Sequence, residues 1–198
     1  MKNILTFVII LVIYSTALFA QDEKLINALK KIDTLKAAFN QITTIAGVGE
    51  DSYSGMLYLQ KGEKILWDYN SPHKQFYLFS KDELSYYDSM TKQLVKQKAE
   101  NLGVENIVFR LLMEPSDIKN TFFIVVMDEN TYKLYPKENI GLQYIEITLE
   151  NDIIKKIVNR DEQGNITEIT LYNISINKPL DKDIFNINVP EGTEVFTY

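Results

Sequence analysis

The chain has 198 residues and a formal net charge of −6 at pH 7, with 45% hydrophobic and 12% aromatic residues. This acidic balance argues against nucleic acid as a partner. A chain with one histidine and no cysteine cannot build a disulfide, a typical zinc site or a histidine-based triad.

The first 20 residues have the pattern of a secretory signal peptide. Lys2 precedes a mostly apolar run over residues 4–13, and small residues lead to Ala20. The run is short for a membrane span, no basic stop-transfer cluster follows it, and no cysteine offers a site for lipid attachment. We expect cleavage before Gln21, which leaves residues 21–198 as a single exported domain in a bacterial envelope.

One amphipathic helix is predicted directly after this leader. Apolar side chains recur at helical spacing at Leu25, Leu29, Ile32, Leu35 or Lys36, and Phe39. The two glycines of "AGVGE" then end the pattern. A second, short helix is predicted in "GVENIVFRLLME", residues 103–114, before Pro115.

The rest of the chain has the period of β-strands. In "LQYIEITLE", Ile145, Ile147 and Leu149 alternate with polar residues, as in a half-buried antiparallel strand. Turns such as "EQGNIT" and "LENDII" favour hairpins. In "ITEITLYNISIN" the apolar phase slips, which predicts a β-bulge near Tyr172 and Asn173.

A meander of about ten or eleven strands has to curl to protect its edges. We therefore predict a mostly antiparallel β fold with helices, an incomplete, half-open β-barrel on which the helices form a lid. The stretch 55–80 carries large apolar side chains on both strand faces. Either one face meets the helices and the other a ligand space, or both faces are packed core, and periodicity leaves both alternatives open.

If the barrel is hollow, strand alternation predicts which side chains line it. The predicted inward-pointing residues are Leu57, Leu59, Ile65, Trp67, Tyr69, Phe76 and Leu78, together with Tyr86 and Phe109.

Motifs for catalysis or cofactor binding are nearly absent from the sequence. His73 lies in the turn "NSPHK" and is expected to be solvated, and the carboxylate pairs at 128–129 and 161–162 flank turns. No glycine-rich phosphate loop is present. The sequence therefore predicts a protein that is not an enzyme and that has no catalytic residues, metal or cofactor.

Several short motifs, in order, resemble one family. A helix-proximal Phe39-Asn40-Gln41 is followed by "SGMLYL", "WDYNSP" and "LSYYD", and later by "YKLYPKE", "DEQGNITEITLYNI" and "FNINVPEG". Over residues 25–196 the sequence resembles the periplasmic outer-membrane lipoprotein carrier family, LolA.

The resemblance implies a soluble, monomeric periplasmic carrier that holds lipoprotein acyl chains in an apolar cavity and shuttles them from the inner to the outer membrane. It also implies an inner-membrane ABC-type lipoprotein release complex and an outer-membrane acceptor, where one exists, as partners. The alternative is a non-catalytic envelope lipid-binding or assembly module with the same fold and a different cargo.

One departure from the family concerns the lid. Where the family has an arginine that is understood to hold lid carbonyl groups, this chain has Lys61. A lysine lacks the planar donor fork of arginine. Lys61 is therefore the candidate lid latch, with carbonyl groups near residues 103–113 as its expected acceptors.

Overall fold

A computed structural model describes residues 22–98 and 107–198. Helix α1 spans residues 22–30. The other helices are α2 (Ile107–Met113) and α3 (Ile118–Thr121), with 3-10 turns at Pro115–Asp117 and Lys182–Phe185. None of the helices in these two ranges is long and apolar enough to cross a membrane. The predicted signal peptide, residues 1–20, and the start of the predicted short helix, residues 103–106, lie outside the described residues.

The described strands form one twelve-stranded sheet. They are β1 (Thr34–Ile45), β2 (Gly49–Gln60), β3 (Lys64–Ser71), β4 (Gln75–Ser80), β5 (Glu83–Asp88), β6 (Gln93–Lys98), β7 (Phe122–Val126), β8 (Thr131–Pro136), β9 (Leu142–Glu150), β10 (Ile153–Asp161), β11 (Ile166–Ile176) and β12 (Glu194–Thr197).

The sheet is open, in the order β12-β6-β5-β4-β3-β2-β1-β11-β10-β9-β8-β7. Neighbouring strands are antiparallel, apart from β12, which runs parallel to β6. Strands β12 and β7 end the sheet and do not pair with each other. The predicted half-open, mostly antiparallel barrel with helices is therefore confirmed, with one strand more than the upper expectation.

The first helix is shorter than the sequence pattern predicts. Helix α1 ends at residue 30, and β1 begins at Thr34, so the prediction that the helix continues to Phe39 is wrong. From Thr34 onward the buried side chains Leu35, Ala37 and Phe39 follow a period of two. Leu35 and Phe39 fit both the helical period and the strand period, so the sequence pattern did not indicate where α1 ends and β1 begins.

The predicted β-bulge is confirmed in the pairing of β1 with β11. Lys36 lies opposite Ser175, whereas Ala38 lies opposite Tyr172, so β11 has one residue more than β1 between these pairs. Asn173 takes up the irregularity with a positive φ of 52°, a conformation that asparagine tolerates. Beyond the bulge, Leu171 and Ile169 lie opposite Phe39 and Gln41, which fixes the register of this half of the sheet.

Two hydrophobic clusters lie on opposite faces of the sheet. The larger cluster packs α1 and α2 against what we call the inner face, which carries Leu57 and Trp67. The smaller cluster lies on the outer face of β3–β6, where Leu66, Phe76, Tyr87 and Leu94 pack against Phe185. The C-terminal segment around Phe185 therefore covers the second apolar face of the stretch 55–80.

Candidate functional site

A cavity of about 250 Å³ lies between the inner face of the sheet and α2. Strand β3 contributes Trp67 and Tyr69 to its wall, and α2 contributes Val108 and Phe109. The remaining lining residues are Gln41, Tyr77, Asn159, Thr167 and Ile169. Among the described residues that line this cavity none carries a charge, so it favours uncharged, largely apolar ligands.

Aromatic rings form the apolar wall of the cavity. Trp67 lies between Phe39 and Phe109, with ring centroids 5.5 Å and 5.6 Å away. Phe109 also stacks on Phe79 at 5.8 Å. Such ring pairs each contribute about 0.5–1.5 kcal/mol beyond their buried area. Phe109 therefore helps to anchor α2 on the sheet, together with the other buried side chains of this helix.

A chain of polar side chains runs along the inner face beside the aromatic wall. The Tyr69 hydroxyl lies 2.9 Å from Gln41 Oε1 and donates to it. Gln41 Nε2 donates to Thr43 Oγ1 at 3.2 Å, and Thr43 Oγ1 lies 3.4 Å from Thr167 Oγ1. Burial raises the pKa of Tyr69, and the neighbouring tyrosines raise it further. The hydroxyl therefore stays protonated and remains a donor at physiological pH.

The indole of Trp67 differs from these polar groups. Trp67 is only 3% exposed, and its Nε1–H is buried without a hydrogen-bond partner anywhere in the described part of the chain. An unsatisfied buried donor costs about 1–3 kcal/mol, and most buried donors in native proteins are paired. The Trp67 indole N–H is thus an unsatisfied donor in the described part of the chain, and its nitrogen is buried away from the open space of the cavity.

Seven of the nine predicted cavity residues lie on the inner side of the sheet, in three groups. Trp67, Tyr69 and Phe109 line the cavity. Tyr86 lies on the inner face next to it, stacked on Tyr77 with ring centroids 4.5 Å apart. The third group is buried in the inner-face core without lining the cavity, and consists of Leu57, Leu59 and Ile65.

The prediction that Phe76 and Leu78 point inward is wrong. Phe76 lies opposite Asp68 and Leu78 lies opposite Leu66 in the pairing of β3 with β4, and both belong to the outer-face cluster. Residues directly opposite each other in a sheet lie on the same face. Tyr77 is opposite Trp67, so Tyr77 points inward instead. A tight β3–β4 turn sets this register, and apolar residues at both parities of "QFYLFS" concealed it.

Sequence reasoning missed six lining residues. Tyr77 and Val108 are next to predicted residues in the sequence. Ile169 is one of the alternate residues of β11 that face inward. Three further lining residues also lie at inward-facing positions of their strands, but their polar side chains are typical of solvent-facing positions: Gln41, Asn159 and Thr167. Alternate residues of a strand lie on the same face of the sheet, so the positions of these residues along β1, β10 and β11 were the signal that could have identified them.

Lys61 lies in the turn between β2 and β3. Its Nζ donates to the backbone carbonyl of Lys30 at the end of α1, and lies 3.7 Å from Asp33 Oδ1. The prediction that Lys61 binds carbonyl groups near residues 103–113 is therefore wrong for residues 107–113. Residues 103–106 lie outside the described residues. Free carbonyl groups at a helix C-terminus attract a cation, which explains why the Lys61 ammonium group binds the end of α1.

We expect Lys61→Met to lower the free energy of unfolding by about 1.5 kcal/mol, the contribution of one hydrogen bond from a charged group. Binding of a hydrophobic dye should stay within about twofold of wild type, because this contact holds α1 and not the cavity wall. Urea unfolding and dye titration measure the two effects. Lys64→Met, at the start of β3, is the matched control, and a severalfold rise in dye binding confined to Lys61→Met would instead support a lid latch.

His73 lies in the predicted turn between β3 and β4, but its side chain is only 25% exposed. The histidine expected to be solvated is therefore only partly exposed. Nε2 lies 3.5 Å from Asp88 Oδ1. Burial alone would raise the pKa of Asp88, but hydrogen bonds from the Met90 N–H and the Tyr86 hydroxyl outweigh it and lower that pKa. No metal-binding cluster occurs within residues 22–98 and 107–198.

Comparison with known proteins gives a family match over most of the chain. The family model described as "Outer membrane lipoprotein carrier protein LolA" matches residues 30–188. An outer-membrane lipoprotein carrier protein from Methylococcus capsulatus is 31% identical over 171 residues, which cover 82% of this chain and 81% of that protein. One from Francisella philomiragia is 25% identical over 199 residues, covering 98% and 97%.

Solved structures share the fold at low sequence identity. An uncharacterized conserved protein from Thermus thermophilus has a TM-score of 0.56 at 17% identity, covering 89% of this chain and 99% of that chain. A DUF1329 family protein from Desulfovibrio piger has a TM-score of 0.51 at 10% identity, covering 84% and 95%. At these identities the likeness concerns the fold alone.

Proposed function

This chain belongs to the family of the outer membrane lipoprotein carrier protein LolA, and from that membership we propose that it carries lipoproteins by holding their acyl chains in the inner-face cavity. The observation that carries the proposal is the extent of the family match. Residues 30–188 include every described residue that lines the cavity.

The energetics of acyl chains explain why such a carrier has to enclose its cargo. Burial of a methylene group stabilises by roughly 0.8 kcal/mol, so exposing one chain of about 16 carbons to water costs on the order of 12 kcal/mol. Trp67, Phe109 and Ile169 offer the cargo an apolar surface in place of the bilayer.

The volume of the cavity implies a movement on loading. At about 250 Å³ it is smaller than the pockets of roughly 300–1,000 Å³ that hold drug-sized ligands. Strands β3 and β4 are fixed by hydrogen-bonded neighbours on both sides. Helix α2 is held on β3 through rings such as Phe109. Loading in this proposal therefore displaces α2 and not the sheet.

The route of the cargo is part of the same proposal. A leader cleaved before Gln21 places the protein in the periplasm, where it acts as a monomer without catalysis. An inner-membrane ABC-type release complex supplies the energy for loading, since the sequence has no nucleotide-binding motif. The cargo then passes to the outer membrane through an acceptor where one is present. The family name of the relatives supports this route.

Mass spectrometry of the protein purified from its native envelope tests the proposal. We expect acylated lipoprotein to co-purify, and acyl lipids to displace a hydrophobic dye from the delipidated protein. Phospholipid without lipoprotein would favour the alternative of a lipid-binding module with another cargo. The absence of any bound acyl compound, together with a dye that acyl lipids do not displace, would contradict a carrier function.

A further inference from the structure

The inner face of the sheet changes from apolar to polar along three neighbouring strands, β1, β11 and β10. On each strand a buried apolar side chain is followed, at the next inward-facing position towards one end of the sheet, by a half-buried polar side chain. These pairs are Phe39 and Gln41, Ile169 and Thr167, and Ile157 and Asn159. The three polar side chains all line the cavity. The cavity therefore has a polar end, which lies towards the β1–β2 and β10–β11 turns.

The polar end is a row of side chains that the sheet holds in register. Asn159 lies opposite Thr167 in the pairing of β10 with β11, and Thr167 lies opposite Thr43 in the pairing of β11 with β1. Gln41 accepts a hydrogen bond from the Tyr69 hydroxyl and donates one to Thr43, which leaves its second amide N–H free. The Asn159 side chain has no hydrogen-bond partner within the described part of the chain. The row therefore offers amide N–H donors to a ligand.

Trp67 marks the apolar end of the same cavity. It lies opposite Leu57, which in turn lies opposite Ala37 of β1. Thr43 follows Ala37 along β1, at a distance of roughly 20 Å for the rise of about 3.3 Å per residue in a strand. The aromatic wall around Trp67 and the polar row are thus separated along the direction of the strands.

The charge around the polar row decides which polar group it can bind. None of the described residues that line the cavity is charged. Strand β2 places Asp51 opposite Thr43, so the charge next to the row is negative. A carboxylate or phosphate would find no counter-ion in the row. The carbonyl oxygen of an ester or amide is neutral and accepts hydrogen bonds from amide N–H groups such as those of Gln41 and Asn159.

We propose that Gln41, Asn159 and Thr167 form a subsite for the carbonyl group of an acyl ester or amide, and that this subsite orients the cargo so that its acyl chain points from the polar row towards Trp67. This inference rests on the proposed function. It deepens that function by naming the linkage that the cavity recognises and the direction in which the chain lies. The hydrogen bonds fix the polar end of the ligand, and the aromatic wall buries the chain.

A pair of brominated probes measures the direction of the chain, because bromine quenches tryptophan fluorescence at short range and Trp67 is the single tryptophan. Methyl 11-bromododecanoate carries bromine near the methyl end of its chain, and methyl 4-bromododecanoate carries it near the ester. Each is titrated to saturation against the purified mature protein. We expect the 11-bromo ester to quench Trp67 at least about twofold more strongly, because the two ends of the cavity are far apart along the strands.

Equal quenching by the two esters, or stronger quenching by the 4-bromo ester, would overturn the inference and leave the carrier function intact. Failure of both esters to quench Trp67 and to displace a hydrophobic dye would overturn the proposed function itself. Dodecyl methyl ethers brominated at the same two carbons lack the carbonyl group. We expect their quenching ratio to lie closer to one, and a ratio equal to that of the esters would overturn the assignment of the row to a carbonyl group.

The double variant Asn159→Leu, Thr167→Val removes polar atoms of the row with little change in side-chain shape. We expect the quenching ratio of the two esters to fall towards one in this variant. Thr170→Val is the control, because Thr170 lies opposite Asn40 on the outer face of β11 and its loss should leave the ratio at the wild-type value. An unchanged ratio in the double variant would overturn the subsite. If that variant does not fold, the comparison of esters with ethers in the wild type decides the same question.

Discussion

Replacing Gly55 with alanine is expected to lower the free energy of unfolding by more than about 4 kcal/mol, a loss at the extreme of single substitutions. An added Cβ would lie 2.0 Å from the Asp68 carbonyl oxygen and 2.9 Å from Tyr69 Cα. Both atoms belong to the backbone of β3, which pairs with β2 on one side and β4 on the other. The strand cannot withdraw without breaking hydrogen bonds to both neighbours.

Gly55 pairs with two residues whose rings help to build the site. Gly55 lies opposite both Phe39 and Tyr69 in the sheet, and these two rings meet edge to face with centroids 5.0 Å apart. A displaced β3 would move Tyr69 away from Gln41, its hydrogen-bond partner. The substitution should therefore disturb the cavity as well as the fold.

Urea unfolding followed by the fluorescence of Trp67 measures this loss, and Gly62→Ala provides the control. Gly62 has a positive φ of 75° and nothing within 4 Å of an added Cβ. Its replacement should cost only about 1 kcal/mol of backbone strain. Equal losses in the two variants would contradict the steric argument for Gly55.

Local pattern predicted the fold well where one face of a strand is buried. The alternation of Ile145, Ile147 and Leu149 is reproduced in β9, and the slipped phase at Asn173 marks a real bulge. The boundary between α1 and β1 failed because Leu35 and Phe39 satisfy both periods. Apolar positions that fit both the helical and the strand period do not indicate which of the two structures the backbone adopts.

The site was predicted less completely because distant segments determine it. In "QFYLFS" both faces are apolar, and the face on which Phe76 lies is covered by Phe185, more than a hundred positions later in the chain. The polar lining residues Gln41 and Thr167 depend on the pairing of β1 with β11. Such contacts join segments far apart in the sequence, and local periodicity does not contain them.

Replacing Phe109 with alanine is expected to lower the free energy of unfolding by about 3 kcal/mol and to increase the affinity for a hydrophobic dye about tenfold. Phe109 is 8% exposed and touches the rings of Trp67, Tyr77 and Phe79. Its removal leaves a void that costs stability at the scale of other buried phenylalanines. The same void adjoins the cavity and lets a dye bury roughly two further methylene equivalents, about 1.6 kcal/mol.

Phe185→Ala separates the two effects, because this ring is equally buried, at 6% exposed, but lies in the outer-face cluster. We expect a similar loss of stability in urea unfolding and an unchanged affinity for the dye. Tighter dye binding in both variants would mean that general loosening of the fold exposes apolar surface. Unchanged binding in Phe109→Ala would mean that α2 does not limit the volume available to a ligand, and would contradict the displacement of α2 on loading.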